Sequence, residues 1–210
     1  MIDTLPAPQR LALSYASRRS HAATLALLAL DARLAAILRG RREPIAVQLR
    51  LAWWRDMLER PPREWPLGEP QLEALRAWRE PAALAALPSA WEGLLADDLT
   101  LAAIAEFADG RAAAFGALAR ELGVEAAAAV AAARIWALAD LAANISDGAE
   151  RERVVACGRE LAPPPHLAAS LRPLAVLAAL GAAALERGGS DLLSGPASAF
   201  HALRIGLIGR

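Results

Sequence analysis

Apolar residues recur along nearly the whole chain at three- and four-residue spacing, while the alternating Val, Ile, Thr and aromatic runs of strands are absent. The pattern predicts an all-α protein. Proline and glycine punctuate it, and alanine and leucine, both strong helix formers, fill the segments between. A first helix is expected from about Gln9 to Ser17 and a second from Ala22 to Leu38, with Gly40 supplying a left-handed cap. A third begins at Pro44 and is stopped by Pro61, Pro62 and Pro66. Pro70 then opens a helix to Arg79 from a first-turn position. Ser89-Ala90-Trp91-Glu92 has capping-box spacing, so a short helix is expected to start there. Thr100 is a second N-cap, for a helix running to Leu122 ahead of Gly123. The next runs from Glu125 to Ser146, with Asp147-Gly148 as its end or kink. Pro163-Pro164-Pro165 is a break, and helices over Leu167 to Arg187, which Pro173 can split, and Pro196 to Ile208 complete the chain.

The third helix holds the most unusual stretch, Arg50-Leu51-Ala52-Trp53-Trp54-Arg55-Asp56. Leu49, Leu51, Trp53, Trp54 and Leu58 are expected to form its apolar face. Paired tryptophans are most often packing. In a sharper reading, Arg50 and Arg55 stand beside a pocket, since guanidinium groups match carboxylates and phosphates geometrically.

Composition narrows the setting. The 210 residues are 56% hydrophobic, enough for one full core, and one domain over 1–210 is expected. The 23 acidic residues balance 23 basic ones, all arginine, so no global attraction to nucleic acid is expected. Cys157 is alone and can form no internal disulfide. The start, Met1 to Pro6, lacks a basic, apolar leader, which points to the cytoplasm. Apolar tracts are interrupted by charge, as at Arg134 and Asp140, or short, as from Pro173 to Leu185, so no membrane span is expected. Arginine on apolar helices leaves peripheral membrane association open. His21, His166 and His201 lack partners at i+3 or i+4, which argues against zinc, and no glycine-rich phosphate loop or serine-nucleophile motif is present.

The segment Glu43 to Leu58, with Pro44 leading into Gln48-Leu49-Arg50-Leu51-Ala52-Trp53-Trp54-Arg55-Asp56, resembles the squalene/phytoene synthase family, in particular its bacterial phytoene-synthase-like branch related to a mitochondrial complex I assembly factor. The resemblance covers nearly the whole chain, although the chain is shorter than catalytic members. It implies a helical bundle of the prenyl-diphosphate synthase type, in which two acidic motifs on facing helices hold Mg²⁺ and, through it, a diphosphate leaving group. Mg²⁺ requires hard oxygen ligands, and departure of an allylic diphosphate requires neutralisation of the charge on its oxygens.

Here the first motif is incomplete. Asp31 is present in Ala29 to Ala35, but Ala35 stands where catalytic members carry a second Asp. The second motif falls on Asp140 to Arg151. Asp147 and Glu150 match it, whereas Ser146 replaces an Arg and Arg151 replaces the final Asp. Independently of the family, Asp140, Asn144 and Asp147 fall at i, i+4 and i+7, which would set three oxygen-bearing side chains on one helical face. The metal candidates are thus Asp31, Asp140, Asn144, Asp147 and Glu150. The alternative is that Asn144, Ser146 and Asp147 only frame a helix end, and Asp97 and Asp98 are read as charges near a helix start. Candidate substrate contacts are Arg50, Trp54 and Arg55, with Tyr15 and Arg18 from a segment loosely like the family's diphosphate-contacting one. Ala105 to Gly116 looks like its aromatic-rich helix.

Three functions remain in play. The first is a non-catalytic member of the group with an isoprenoid-binding or assembly role. The second is an active Mg²⁺-dependent head-to-head prenyltransferase acting on prenyl diphosphates. The third is a partner-binding helical protein without a ligand cavity.

Overall fold

Side-chain caps open three of the long helices in the computed structural model, which describes residues 1–40, 43–96, 98–194 and 205–206. Ser17 Oγ accepts from Ser20 N at 3.2 Å, Thr100 Oγ1 from Ala103 N at 3.1 Å and Asp147 Oδ1 from Glu150 N at 2.8 Å, each satisfying an amide that a helix start leaves without a partner. Among the described residues the α-helices are α1 (Ala7–Leu13), α2 (Arg18–Arg39), α3 (Pro44–Glu59), α4 (Pro70–Leu75), α5 (Ala86–Glu92), α6 (Leu101–Glu121), α7 (Ala127–Asn144), α8 (Gly148–Arg159) and α9 (Arg172–Glu186), and no strand is present. The protein is all-α.

Helix α7 lies at the centre, packed along α6 on one side and α9 on another, while α5 crosses α6 and α2 touches α3, α4, α5 and α6. One continuous hydrophobic cluster fills the interior, with Trp54, Phe107, Phe115, Leu138 and Leu177 among its members.

Several boundaries differ from the sequence expectation. Gly40 has φ −76°, so α2 does not end in a left-handed cap. That conformation belongs to Gly123, at φ 73°, where Val124 N reaches back to Ala119 O at 2.9 Å and closes α6. Ser89 lies inside α5 and caps nothing, because the helix is already entered from the turn over Pro81–Leu84. The chain breaks at Ile145, which is extended, and α8 follows as a separate helix. Pro173 sits in the first turn of α9 rather than splitting it. The helix expected over 196–208 lies outside the described residues except for Ile205 and Gly206, as does Asp97.

On α3 the expected apolar face is divided. Leu51, Trp54 and Leu58 are buried, but Leu49 is 67% exposed and Trp53 38% exposed. Ile45, Leu49 and Trp53, four residues apart, form an exposed apolar row, and Trp53 meets Trp54 edge-on with ring centroids 5.1 Å apart.

The expectation that no tract could span a membrane does not hold by length and composition. The stretches Arg18–Arg39, Ala127–Asn144 and Ala169–Glu186 each hold an 18-residue window that is apolar enough, because alanine sustains apolarity around at most two charges there. In the bundle more than half of each is buried against other helices.

Arginine also closes helix ends. Arg159 donates to Leu185 O and Glu186 O at the end of α9, and Arg79 Nη2 donates to Arg120 O and Glu121 O at the end of α6. A planar fork reaches two carbonyls at once, which a lysine ammonium does less well.

Close approach of α5 and α6 requires Gly110. A Cβ there would lie 2.5 Å from Ala90 Cβ and 3.1 Å from Ala86 O. Gly110→Ala is therefore expected to destabilise the fold by about 1–3 kcal/mol in urea denaturation, although alanine is the better helix former by about 1 kcal/mol.

Candidate functional site

Three charges sit where helical spacing calls for apolar side chains. On α6, Ile104, Phe107, Ala108, Arg111, Phe115 and Leu118 share the inward stripe; on α2, Leu27, Leu28, Asp31, Leu34 and Leu38 do so. The third, Asp140, follows Trp136 by one turn on α7. Packing those stripes together forces the charges to meet.

Arg111 and Asp31 are each 1% exposed. Arg111 Nη2 donates to Asp31 Oδ2 at 2.6 Å, its Nε to Asp31 Oδ1 at 3.2 Å, and its Nη1 to Asp140 Oδ2 at 2.9 Å. Trp91 Nε1, from α5, gives Asp31 Oδ1 a further hydrogen bond at 2.9 Å. The guanidinium carbon lies 4.0 Å from the Trp136 ring centroid, 5.2 Å from that of Trp91 and 5.3 Å from that of Phe107. Paired on its edge and covered on its faces by rings, the cation is stabilised without water. Burial alone works to lower the Arg111 pKa, but Asp31 and Asp140 outweigh it and raise it above its already high value, so the group stays charged. Burial pushes the Asp140 carboxyl up; Arg111 opposes this, and the nearby Asp31 adds to it.

This triad forms part of the wall of a solvent-open cavity of about 870 Å³ bounded by α2, α6, α7, Gly93, Leu94, Ala96, Asp98, Leu99 and the start of α1. Asn144, Asp147 and Glu150 line the same cavity, so all five metal candidates share it. Asp140, Asn144 and Asp147 do not share the one helical face expected of them. Helix α7 ends at Asn144, whose Nδ2 donates back to Asp140 O at 2.8 Å, and the extended Ile145 accepts from Arg151 Nη2 at 2.6 Å. Asp147 therefore belongs to the next helix, where its carboxylate is an N-cap.

The donor set does not fit Mg²⁺. That ion needs near-octahedral oxygens at about 2.0–2.1 Å, whereas both Asp31 oxygens and one of Asp140 already accept from Arg111 or Trp91. Among the described residues no group of three or more His, Cys, Asp or Glu side chains is placed to hold a metal ion.

The candidate substrate contacts lie elsewhere, and none of the five lines this cavity. Arg50 and Trp54 border a separate hollow of about 520 Å³ with Arg33, Trp53 and Glu69. Arg55 is held by Glu92 at 2.8 Å, a pair about one-third exposed. Tyr15 packs against Gly206, and Arg18 is the exposed first residue of α2.

Known proteins supply no counterpart. No family model, no curated protein and no solved structure gives a significant match to this chain.

Arg111 and Gln9, both in the cavity wall, carry no role in the sequence reading. For Arg111 the signal was present, as a lone charge at the centre of an apolar stripe. For Gln9 the sequence holds none, since its burial depends on how α1 lies across the bundle.

Arg111→Met, which strands a buried carboxylate, is expected to cost about 3–5 kcal/mol. Adding Asp31→Leu should recover most of that loss, and a double-mutant denaturation cycle measures it. A raised folded-state pKa at Asp140 means the native state binds the extra proton. Its contribution is full below the unfolded value of ~3.9 and is lost as pH rises through the higher folded value. Asp140→Asn removes this component, so the Tm of the variant relative to wild type should rise across that window in a pH series.

Proposed function

We propose that the chain is a squalene/phytoene synthase-like protein that does not catalyse prenyl condensation and instead binds an isoprenoid or serves in assembly. The helix Pro44–Glu59 with its Trp-Trp-Arg-Asp run, the all-helical bundle and the solvent-open pocket between helices support the likeness. The observation that carries the non-catalytic reading is Arg111. A permanent cation on α6 neutralises the carboxylates of α2 and α7 that a catalytic relative would present to Mg²⁺. An exchangeable divalent ion can bridge to a diphosphate; a guanidinium committed to Asp31 and Asp140 has little left to offer one. Ala35 and Arg151 at expected aspartate positions point the same way.

The assembly side of the proposal draws on the exposed row Ile45, Leu49 and Trp53, apolar surface that a solvent-facing helix rarely keeps without a partner. A cytoplasmic protein with a peripheral membrane contact is consistent with that row lying near Arg33 and Arg50. The competing reading, a Mg²⁺-dependent prenyltransferase, would need Arg111 to release its carboxylates.

Folded protein incubated with Mg²⁺ and farnesyl or geranylgeranyl diphosphate is expected to release no pyrophosphate and to yield no condensed lipid. Product that disappears in Asp147→Ala would overturn the non-catalytic reading.

A further inference from the structure

Ile45, Leu49 and Trp53 follow one another at four-residue steps along α3 and are 72%, 67% and 38% exposed. Single apolar side chains in solvent are ordinary, but a continuous row of them marks surface that something covers. Leu49 and Trp53 also form one side of the hollow of about 520 Å³ between α2 and α3, whose remaining apolar lining is Ala36, Ile37 and Trp54. A ridge beside an apolar groove is the shape that seats another helix ridge.

The charges around the row bear on what that ridge belongs to. Arg33, Arg50 and Glu69 line the hollow, and among the described residues none of their side chains makes an ion pair or a hydrogen bond. Exposed Glu43 and Asp56 stand on α3 at either end of the row. Two arginines against three acids give no excess of positive charge with which to hold an anionic bilayer. Both signs side by side are instead complementary to the same surface turned by a two-fold rotation, in which every contact is made twice. The chain carries a formal net charge of zero, so two copies do not repel each other at long range.

We propose that this face is the contact of a symmetric homodimer, in which the row Ile45, Leu49 and Trp53 of each copy packs against that of the other and Arg50 of each copy faces Glu69 of the other. The inference rests on the assembly side of the proposed function and adds the partner, a second copy of this chain. The hollow shares no lining residue with the central cavity, so association leaves that cavity open and is measured without any ligand.

Sedimentation velocity of the full chain over about 1–100 μM tests this. The average mass is expected to climb with concentration from 22.1 kDa towards twice that value. Leu49→Glu should weaken association at least about tenfold at unchanged Tm, because the side chain it replaces is already in solvent, and Ile45→Glu repeats the test should the first variant fail to fold. Arg50→Glu and Glu69→Arg are each expected to weaken association about tenfold. An equimolar mixture of those two variants should regain wild-type association, since each supplies the sign the other lacks. Residues with only a structural part in the monomer would not give that recovery. A wild-type chain that stays at 22.1 kDa, or a dimer that both Leu49→Glu and Ile45→Glu leave intact, overturns the homodimer; a mixture that fails to associate overturns the pairing of Arg50 with Glu69. Should the wild-type chain remain monomeric but float with phosphatidylcholine–phosphatidylserine vesicles, and lose this in Leu49→Glu, the homodimer falls and the peripheral membrane contact stands. A monomer that ignores the vesicles as well overturns the assembly reading of the row along with the homodimer.

Discussion

A guanidinium sealed between two carboxylates and three aromatic rings is the constraint around which this bundle is arranged. Arg111 ties α6 to α2 through Asp31 and to α7 through Asp140, and Trp91 adds α5 by donating to the same Asp31. Once such a charge is buried, its partners must arrive with good geometry, because an ion left alone in a low-dielectric interior costs several kcal/mol. The helices that meet here are therefore restricted to placements that close all of these bonds together. Hydrophobic burial is less selective: alanine- and leucine-rich stripes can slide by a turn with modest loss, and a charge in the middle of each stripe removes that freedom.

The same triad separates the cavity from the chemistry that its acidic lining suggests. Carboxylates on facing helices are what a divalent ion and a diphosphate require, and five candidate oxygen-bearing residues do line one space. Two of them are occupied by an internal cation, one caps a helix, and one folds back onto its own backbone. The fifth, Glu150, pairs with Arg153 at 3.9 Å.

Several of the arginines do work that a lysine would do less well. Arg111 needs a planar fork with several donors to serve two carboxylates at once, and Arg159 and Arg79 each reach two carbonyls at the end of a neighbouring helix. Balanced net charge is thus compatible with heavy use of cations, since many are spent on backbone and internal acids.

Helical periodicity, Pro and Gly punctuation and the Thr100 cap were enough to determine an all-α chain and the existence of most helices, because those signals act over a few neighbouring residues. Local spacing alone grouped Asp140, Asn144 and Asp147; Asp31 and Glu150 joined them only through the family resemblance, and all five line one cavity. Local spacing could not decide that Asp147 starts a new helix, for the break at Ile145 depends on Arg151 reaching its carbonyl. Nor could it decide that Trp53 faces outward while Trp54 faces in, since the two are adjacent and only the packing of α3 chooses between them. The partner of Asp31 lies 80 residues away on α6, and Gln9 becomes an unpaired buried acceptor only when α1 closes one side of the cavity. Pairing, burial and the emptiness of a space are relations between distant segments, so tertiary structure alone supplied them.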